Sequence, residues 1–281
     1  MNTPLEIRQA KISDLQELEK FLNFEFFVHQ HLDWFNPGDW IENEPFLLAF
    51  REKEIVACLS VFSEVKDIAW LRIFGCSSFY SREQLWNILF SELVTQMKGE
   101  VSTVAVLGIH DWFVKILKRN LFNVHQEIIV LERLKSTLPN STLNPNIVIQ
   151  PLHINQVPQT AQLDARCFDP IWQLPENSML KAYVQSGYAT AAFLDQQLVG
   201  YQITTETPSF AHLARLAVDP GFQGKNIGKT LVYDLIENYL RKGIRKISVN
   251  TQNDNLASKA LYKTMGFIQN SERYPVLIYS L

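Results

Sequence analysis

Gly221-Phe222-Gln223-Gly224-Lys225-Asn226-Ile227-Gly228-Lys229-Thr230 stands between an apolar alternation over residues 213–218 and a helical pattern over residues 231–240. The passage reads as a strand, a glycine loop and the start of a helix. Backbone N–H groups of such a loop converge on one point, and the helix dipole adds positive potential there. Glycines let a phosphate approach the main chain without a Cβ in the way. The loop therefore predicts a phosphate-bearing ligand.

A nucleotide-hydrolase P-loop, Gly-x4-Gly-Lys-Ser/Thr, competes for this reading, because Gly228, Lys229 and Thr230 fit it. Two features count against it. Gln223 stands where the first glycine belongs, and the next strand pattern, residues 247–251, ends in Asn250-Thr251 rather than in a magnesium-holding Asp.

Downstream, residues 253–267 read as an Asn N-cap, a helix of two to three turns and a Gly C-cap followed by Phe267. Asn255 and Tyr262 are two turns apart on one helix face, within about 20° of each other. Here the chain resembles the GNAT superfamily of N-acetyltransferases. Gln223-x-x-Asn226-x-Gly228 is similar to that family's Arg/Gln-x-x-Gly-x-Gly/Ala loop for the pyrophosphate of acetyl-CoA, and residues 255–267 to its Asn-x6-Tyr-x3-Gly-Phe helix. Asn226 departs from the middle glycine, but Asn tolerates positive φ better than most residues.

The resemblance implies acetyl-CoA as cosubstrate, held by Gln223, Gly224, Lys225, Asn226, Ile227, Gly228 and Lys229, with Asn255 and Tyr262 beside them. It also implies that the backbone of Leu216 and Val218 pairs with the pantetheine arm like an added strand, and that Val218 N–H polarises the thioester carbonyl. Tyr262 would be the general acid for the leaving thiolate. An alkylammonium is only about one part in a thousand neutral at pH 7, so a base or a water chain is required. His212 and Glu206 are the two candidate bases, with water the third possibility. Alternation places His212, Ala214, Leu216 and Val218 on one strand face. The segment resembles serotonin N-acetyltransferase, although the second histidine of that pattern is Ala214 here. The stretch around Cys167 to Trp172 is similar to the ribosomal-protein alanine acetyltransferases, whose Glu is Asn250 in this chain. Phe168, Trp172 and Tyr188 are candidates for the acceptor wall.

A weak internal repeat organises the whole chain. Residues 7–10 recur at 149–152, residues 49–58 at 192–201, and Phe122 matches Phe267, at offsets of 142, 143 and 145. Residues 135–146 carry Pro139, Asn140, Ser141, Thr142, Asn144 and Pro145 and have linker composition. The expected division is 1–134, a degenerate GNAT-like domain; 135–146, a linker; and 147–281, an acetyl-CoA-binding GNAT domain. Each half reads as an α/β unit, a central mixed and mostly antiparallel sheet flanked by helices. In the first half His110, Leu117 and Leu121 stand where Asn255, Tyr262 and Gly266 stand in the second, so no cofactor site is expected there. Five of the six tryptophans lie in that half, as core or as a partner surface.

The net charge of −3, with scattered basic residues, calls for neither nucleic acid nor an anionic membrane. No stretch reaches the roughly 18 apolar residues of a membrane helix, and the N-terminus lacks a leader pattern, so the cytoplasm is the expected location. The three cysteines and six histidines show no metal-ligand spacing, and no metal is expected. The reading is an N-acetyltransferase acting on a primary amine of a small molecule or peptide by direct attack. The alternative is a non-catalytic acyl-CoA sensor or interaction module. The oligomeric state is open.

Overall fold

A computed structural model describes residues 4–140 and 142–281; residues 1–3 of the N-terminal stretch and Ser141 of the linker-like segment lie outside it. The first half runs β1 (Glu6–Gln9), α1 (Leu15–Phe24), β2 (Phe27–Gln30), α2 (Pro37–Trp40), β3 (Phe46–Arg51), β4 (Glu54–Val65), β5 (Asp67–Cys76), α3 (Arg82–Met97), β6 (Val101–Leu107) and α4 (Asp111–Arg119). After β7 (Asn123–Arg133) the order repeats. It continues with β8 (Val148–Pro151), α5 (Val157–Cys167), α6 (Glu176–Val184), β9 (Tyr188–Leu194), β10 (Gln197–Glu206), β11 (Phe210–Val218), α7 (Ile227–Arg241), β12 (Lys246–Gln252), α8 (Leu256–Thr264) and β13 (Ile268–Ser280).

The compact units differ from the linear division by two exchanged segments. One contains the chain up to Gln126 together with Tyr274–Leu281, the other Glu127–Arg273. Inside the first, the C-terminal part of β13 pairs antiparallel with β6 from Val276↔Leu107 to Ser280↔Thr103. Inside the second, β7 pairs antiparallel with β12 from Ile247↔Arg133 to Gln252↔Ile128. Composition marked residues 135–146 as the boundary, but strand pairing, which composition does not report, carries β7 into the second unit.

In each unit the sheet is antiparallel except for one parallel pair, β5 with β6 and β11 with β12. Leu85, Trp86, Leu89 and Phe90 of α3 bury one face of the first sheet, while Leu18 and Phe21 of α1 cover the other. Val232, Leu235, Ile236 and Tyr239 of α7 cover one face of the second sheet, against Ala211, Leu213, Ile247 and Val249. Gly200 is required at this packing, since a Cβ there would lie 2.8 Å from the Ala217 carbonyl oxygen and 3.2 Å from Ile227.

The parallel pair splays apart in both units. β11 and β12 are paired only from Phe210↔Lys246 to Leu213↔Val249, and β5 and β6 only from Asp67↔Val101 to Trp70↔Ala105. A β-bulge sits at the same point of each copy, at Ala214 opposite Ile203/Thr204 and at Arg72 opposite Ser60/Val61. Beyond the bulge the copies diverge. In the first unit β2 fills the gap, pairing antiparallel with β5 from Phe27↔Cys76 to Gln30↔Ile73. In the second, among the described residues, no strand pairs with that edge of β11 beyond Leu213.

Candidate active site

The open edge of β11 is the frame of the site. Asp219 N–H donates to Val199 O at 2.9 Å, toward β10. Since N–H groups alternate in an extended strand, those of Val218 and Leu216 point the other way, into the splay. The Val218 carbonyl is already used, accepting from Cys167 Sγ and Gln223 Nε2, both at 3.3 Å.

The glycine loop leads directly into α7. Gly224 has φ +79° and Asn226 φ 61°, both left-handed, a backbone that Asn tolerates better than most residues. Asn226 is the N-cap of α7 without a side-chain cap bond, and among the described residues the first-turn amides of Ile227, Gly228 and Lys229 have no partner. Asn144, from the linker-like segment, braces the loop by donating to Lys225 O at 3.0 Å. At Gly228 a Cβ would meet Leu261 at 3.2 Å and Val218 at 3.7 Å, so this glycine faces the space between β11 and α8. A glycine-lined concavity with free amides at a helix N-terminus suits a phosphate.

α8 forms the other wall. Asn255 caps it, its Oδ1 accepting from Ser258 N–H at 3.0 Å. At its end Gly266, φ +86°, lets Phe267 N–H reach Tyr262 O at 3.0 Å. Buried Arg133 of β7 fastens this turn through Nε to Met265 O at 3.0 Å. Tyr262 is 4% exposed and its ring packs on Phe267 at 5.6 Å. Burial raises its pKa, so the phenol keeps its proton at neutral pH.

His212 requires a correction. The extra residue at Ala214 reverses the alternation: Ala211, Leu213, Leu216 and Val218 face α7, whereas His212, Arg215 and Ala217 face α5. His212 therefore does not share a face with Val218. It lies opposite Ser248, whose Oγ is 2.9 Å from Nδ1, and burial lowers its pKa, leaving a neutral imidazole. Glu206 lies on the other face, held by Lys242 Nζ at 2.8 and 3.1 Å. Tyr188 also turns toward α7, donating to Asp234 Oδ2 at 2.8 Å, and so stands apart from Phe168 and Trp172.

Those two are organised by a residue that sequence reasoning missed. Arg215, directly after the bulge, binds Asp164 of α5 through Nε at 2.7 Å and Nη2 at 2.8 Å, and donates to Trp172 O at 2.6 Å. The Phe168 ring stacks on its guanidinium at 3.5 Å. Asp164 is fully buried, accepts from Leu174 N–H at 2.8 Å, and receives the Tyr201 hydroxyl. Burial among these groups raises the Tyr201 pKa. One signal was available: Val157, Thr160, Ala161 and Asp164 are all buried at i, i+3, i+4 and i+7, which puts an acid on the apolar stripe of α5. Among the described residues no group of three or more His, Cys, Asp or Glu side chains could hold a metal, and no helix is long and apolar enough to cross a membrane.

Residues 157–267 match the acetyltransferase (GNAT) family. The match takes in α5 to α8 of the second unit, 111 of the 281 residues. Among curated proteins it is 32% identical over 73 residues to a [ribosomal protein bS18]-alanine N-acetyltransferase of Salmonella typhimurium, covering 26% of this chain and 49% of that protein. It is 38% identical over 74 residues to N-alpha-acetyltransferase RimI of Mycobacterium tuberculosis, covering 25% and 45%. The chain spans about half the length of these relatives. The fold extends over the whole chain. A tandem GNAT protein from the clavulanic acid biosynthesis pathway aligns with a TM-score of 0.65 at 13% identity, over 99% of this chain and 98% of that one. A GCN5-related N-acetyltransferase from Sphaerobacter thermophilus aligns with a TM-score of 0.64 at 14% identity, over 99% and 96%.

Proposed function

We propose that the protein is an acetyl-CoA-dependent N-acetyltransferase whose chemistry resides in the second unit and whose acceptor is a primary amine of a small molecule or peptide. The observation that carries this reading is the open β11 edge, where among the described residues no strand takes the Val218 and Leu216 N–H groups, beside the first-turn amides of α7. Bound acetyl-CoA supplies an activated acyl group on a thioester. The amides of Gly224 to Lys229 hold its pyrophosphate and the β11 edge aligns its arm. Val218 N–H donates to the carbonyl oxygen as charge develops there.

His212, neutral because it is buried, accepts the amine proton directly or through water as the C–N bond forms. Tyr262, protonated because it is buried, delivers its proton to the sulfur as the C–S bond breaks. Glu206, held by Lys242 on the α7 face, serves the fold. Phe168 and Trp172, fixed by Arg215, form the acceptor side. Asn250, where the alanine acetyltransferases carry Glu, favours a small amine over a protein N-terminus. The test is thiol release across a panel of small amines and peptides. Turnover with at least one amine supports the reading; tight acetyl-CoA binding without turnover on any would replace it with the sensor alternative.

A further inference from the structure

The first unit has a cavity of about 510 Å³ at the place that corresponds to the glycine loop of the second. It opens beyond β5, beside the start of α3, and is walled by α4. Its volume falls in the range of small-molecule sites, roughly 300–1,000 Å³. Two features set it apart from the site in the second unit.

The first is β2. By pairing with residues 73–76 of β5, this strand occupies the edge that β11 leaves open, and its first residue, Phe27, lines the cavity. An extended arm has no strand edge to join there. The second is charge. On α4, Trp112, Lys115 and Arg119 line the cavity at i, i+3 and i+7, where the aligned positions of α8 are Ala257, Ala260 and Thr264. Arg82, at the start of α3, adds a third cation, stacked on Phe27 at 4.0 Å. Glu83 is the only acid in the lining and is taken up by Arg119. Lys115 is exposed and, among the described residues, has no hydrogen-bond or ion-pair partner. The second unit offers backbone amides to an anion; the first offers side-chain cations and an aromatic wall.

We propose that this cavity binds a nucleoside phosphate. Arg82 and Lys115 take the phosphates, and the indole of Trp112 packs against the base. A guanidinium with an ammonium selects phosphate oxygens, and an aromatic side chain stacks any base. Closure by β2 excludes ligands that continue into a pantetheine-length arm. The proposal stands apart from the chemistry assigned to the second unit.

The test is calorimetric titration of the full chain with ADP, inorganic pyrophosphate and coenzyme A. The expected result in the Gly228→Glu chain, whose second-unit loop is blocked, is one ADP site, weakened about 10- to 100-fold by adding Lys115→Ala or Arg82→Ala, the loss typical of one charge-assisted contact. Trp112→Ala weakens ADP and leaves pyrophosphate unchanged. Gly228→Glu, in the second unit, leaves the site intact. ADP binding that survives Lys115→Ala but is lost in Gly228→Glu overturns the proposal, as does absence of ADP binding at millimolar concentration. Pyrophosphate binding as tight as ADP overturns the nucleoside assignment. A second equivalent of coenzyme A that disappears in Lys115→Ala overturns the exclusion of the arm.

Discussion

Arg215→Met removes a guanidinium from a fully buried carboxylate. Asp164 would keep only Leu174 N–H and the Tyr201 hydroxyl, while the 2.7 and 2.8 Å ion-pair bonds and the 2.6 Å bond to Trp172 O disappear. Breaking one side of a buried pair costs about 3–5 kcal/mol, because the remaining charge is left uncompensated. For a unit of this size, at about 2–4 °C per kcal/mol, the melting temperature should fall by about 6–20 °C. Scanning calorimetry of the full chain reads this directly on the transition of the second unit. Asp164→Leu/Arg215→Met removes both charges and should recover about half of the loss or more. In steady-state kinetics Arg215→Met should raise KM for the amine while the acetyl-CoA Kd changes less than about twofold, since the residue holds Phe168 and Trp172 rather than the glycine loop. A melting temperature within about 2 °C of the parent, or a double variant no better than the single one, would refute the argument.

Four further outcomes are expected. Tyr262→Phe should keep acetyl-CoA affinity and lower kcat by roughly 10- to 1000-fold; unchanged kcat at saturating amine returns Tyr262 to a packing role. With His212 as base, kcat/KM rises with pH through an apparent pKa below the usual 6.5, and in His212→Ala that limb moves toward the pKa of the amine; an unaltered profile clears His212. Gly228→Glu adds a carboxylate beside Val218 and Leu261 and should abolish measurable acetyl-CoA binding by calorimetry, whereas retained affinity would move the site elsewhere. In the first unit, burial holds His29 down to about 3 and His31 well below 6.5, while Asp33 is pushed up to about 6 although Arg72 lies 2.5 Å away. Stability contributed by the two histidines is complete above pH ~6.5 and falls on acidification, because the unfolded chain takes up protons that the folded one refuses. Below about pH 6 Asp33 opposes this, binding a proton that the unfolded chain does not. Two imidazoles against one carboxyl leave the unfolded chain the larger share of protons from these groups, so their combined contribution still falls on acidification. His29→Leu should flatten that slope in pH-dependent denaturation, and an unchanged slope would show that the buried imidazole is not its source.

Much of the second unit was legible because its signals are local. The expected Asn-capped helix before Gly266 matches α8, the glycine loop and its helix start fall at α7, and Asn226 adopts the left-handed backbone that Asn tolerates. The parts that escaped the sequence depend on distant partners. A bulge at Ala214 is fixed by how β10 and β11 pair, and apolar alternation alone carries His212 through to the wrong face. Asp164 and Arg215 are 51 positions apart, and each looks like an ordinary surface charge until the two meet. β2 is four residues of mixed polarity, and only its pairing with β5 shows that it fills an edge. In the first unit Leu121 keeps the left-handed turn at φ 66° where its counterpart is Gly266, so backbone geometry outlasted the residue that usually signals it.

The interchange of β7 and β13 governs how the chain is built in time. A nascent chain normally completes its N-terminal domain while the rest is being translated. Here the edge of β6 waits for residues 276–280, whose synthesis follows that of the whole second unit. At about 5–20 residues per second that interval is on the order of ten to thirty seconds. During it, a row of Val104 and Val106 backbone groups stands open as a template for any passing strand. Stalled or truncated translation products of this protein would therefore tend to aggregate through their first unit, and the hazard follows from the order of the strands rather than from the hydrophobicity of any one of them.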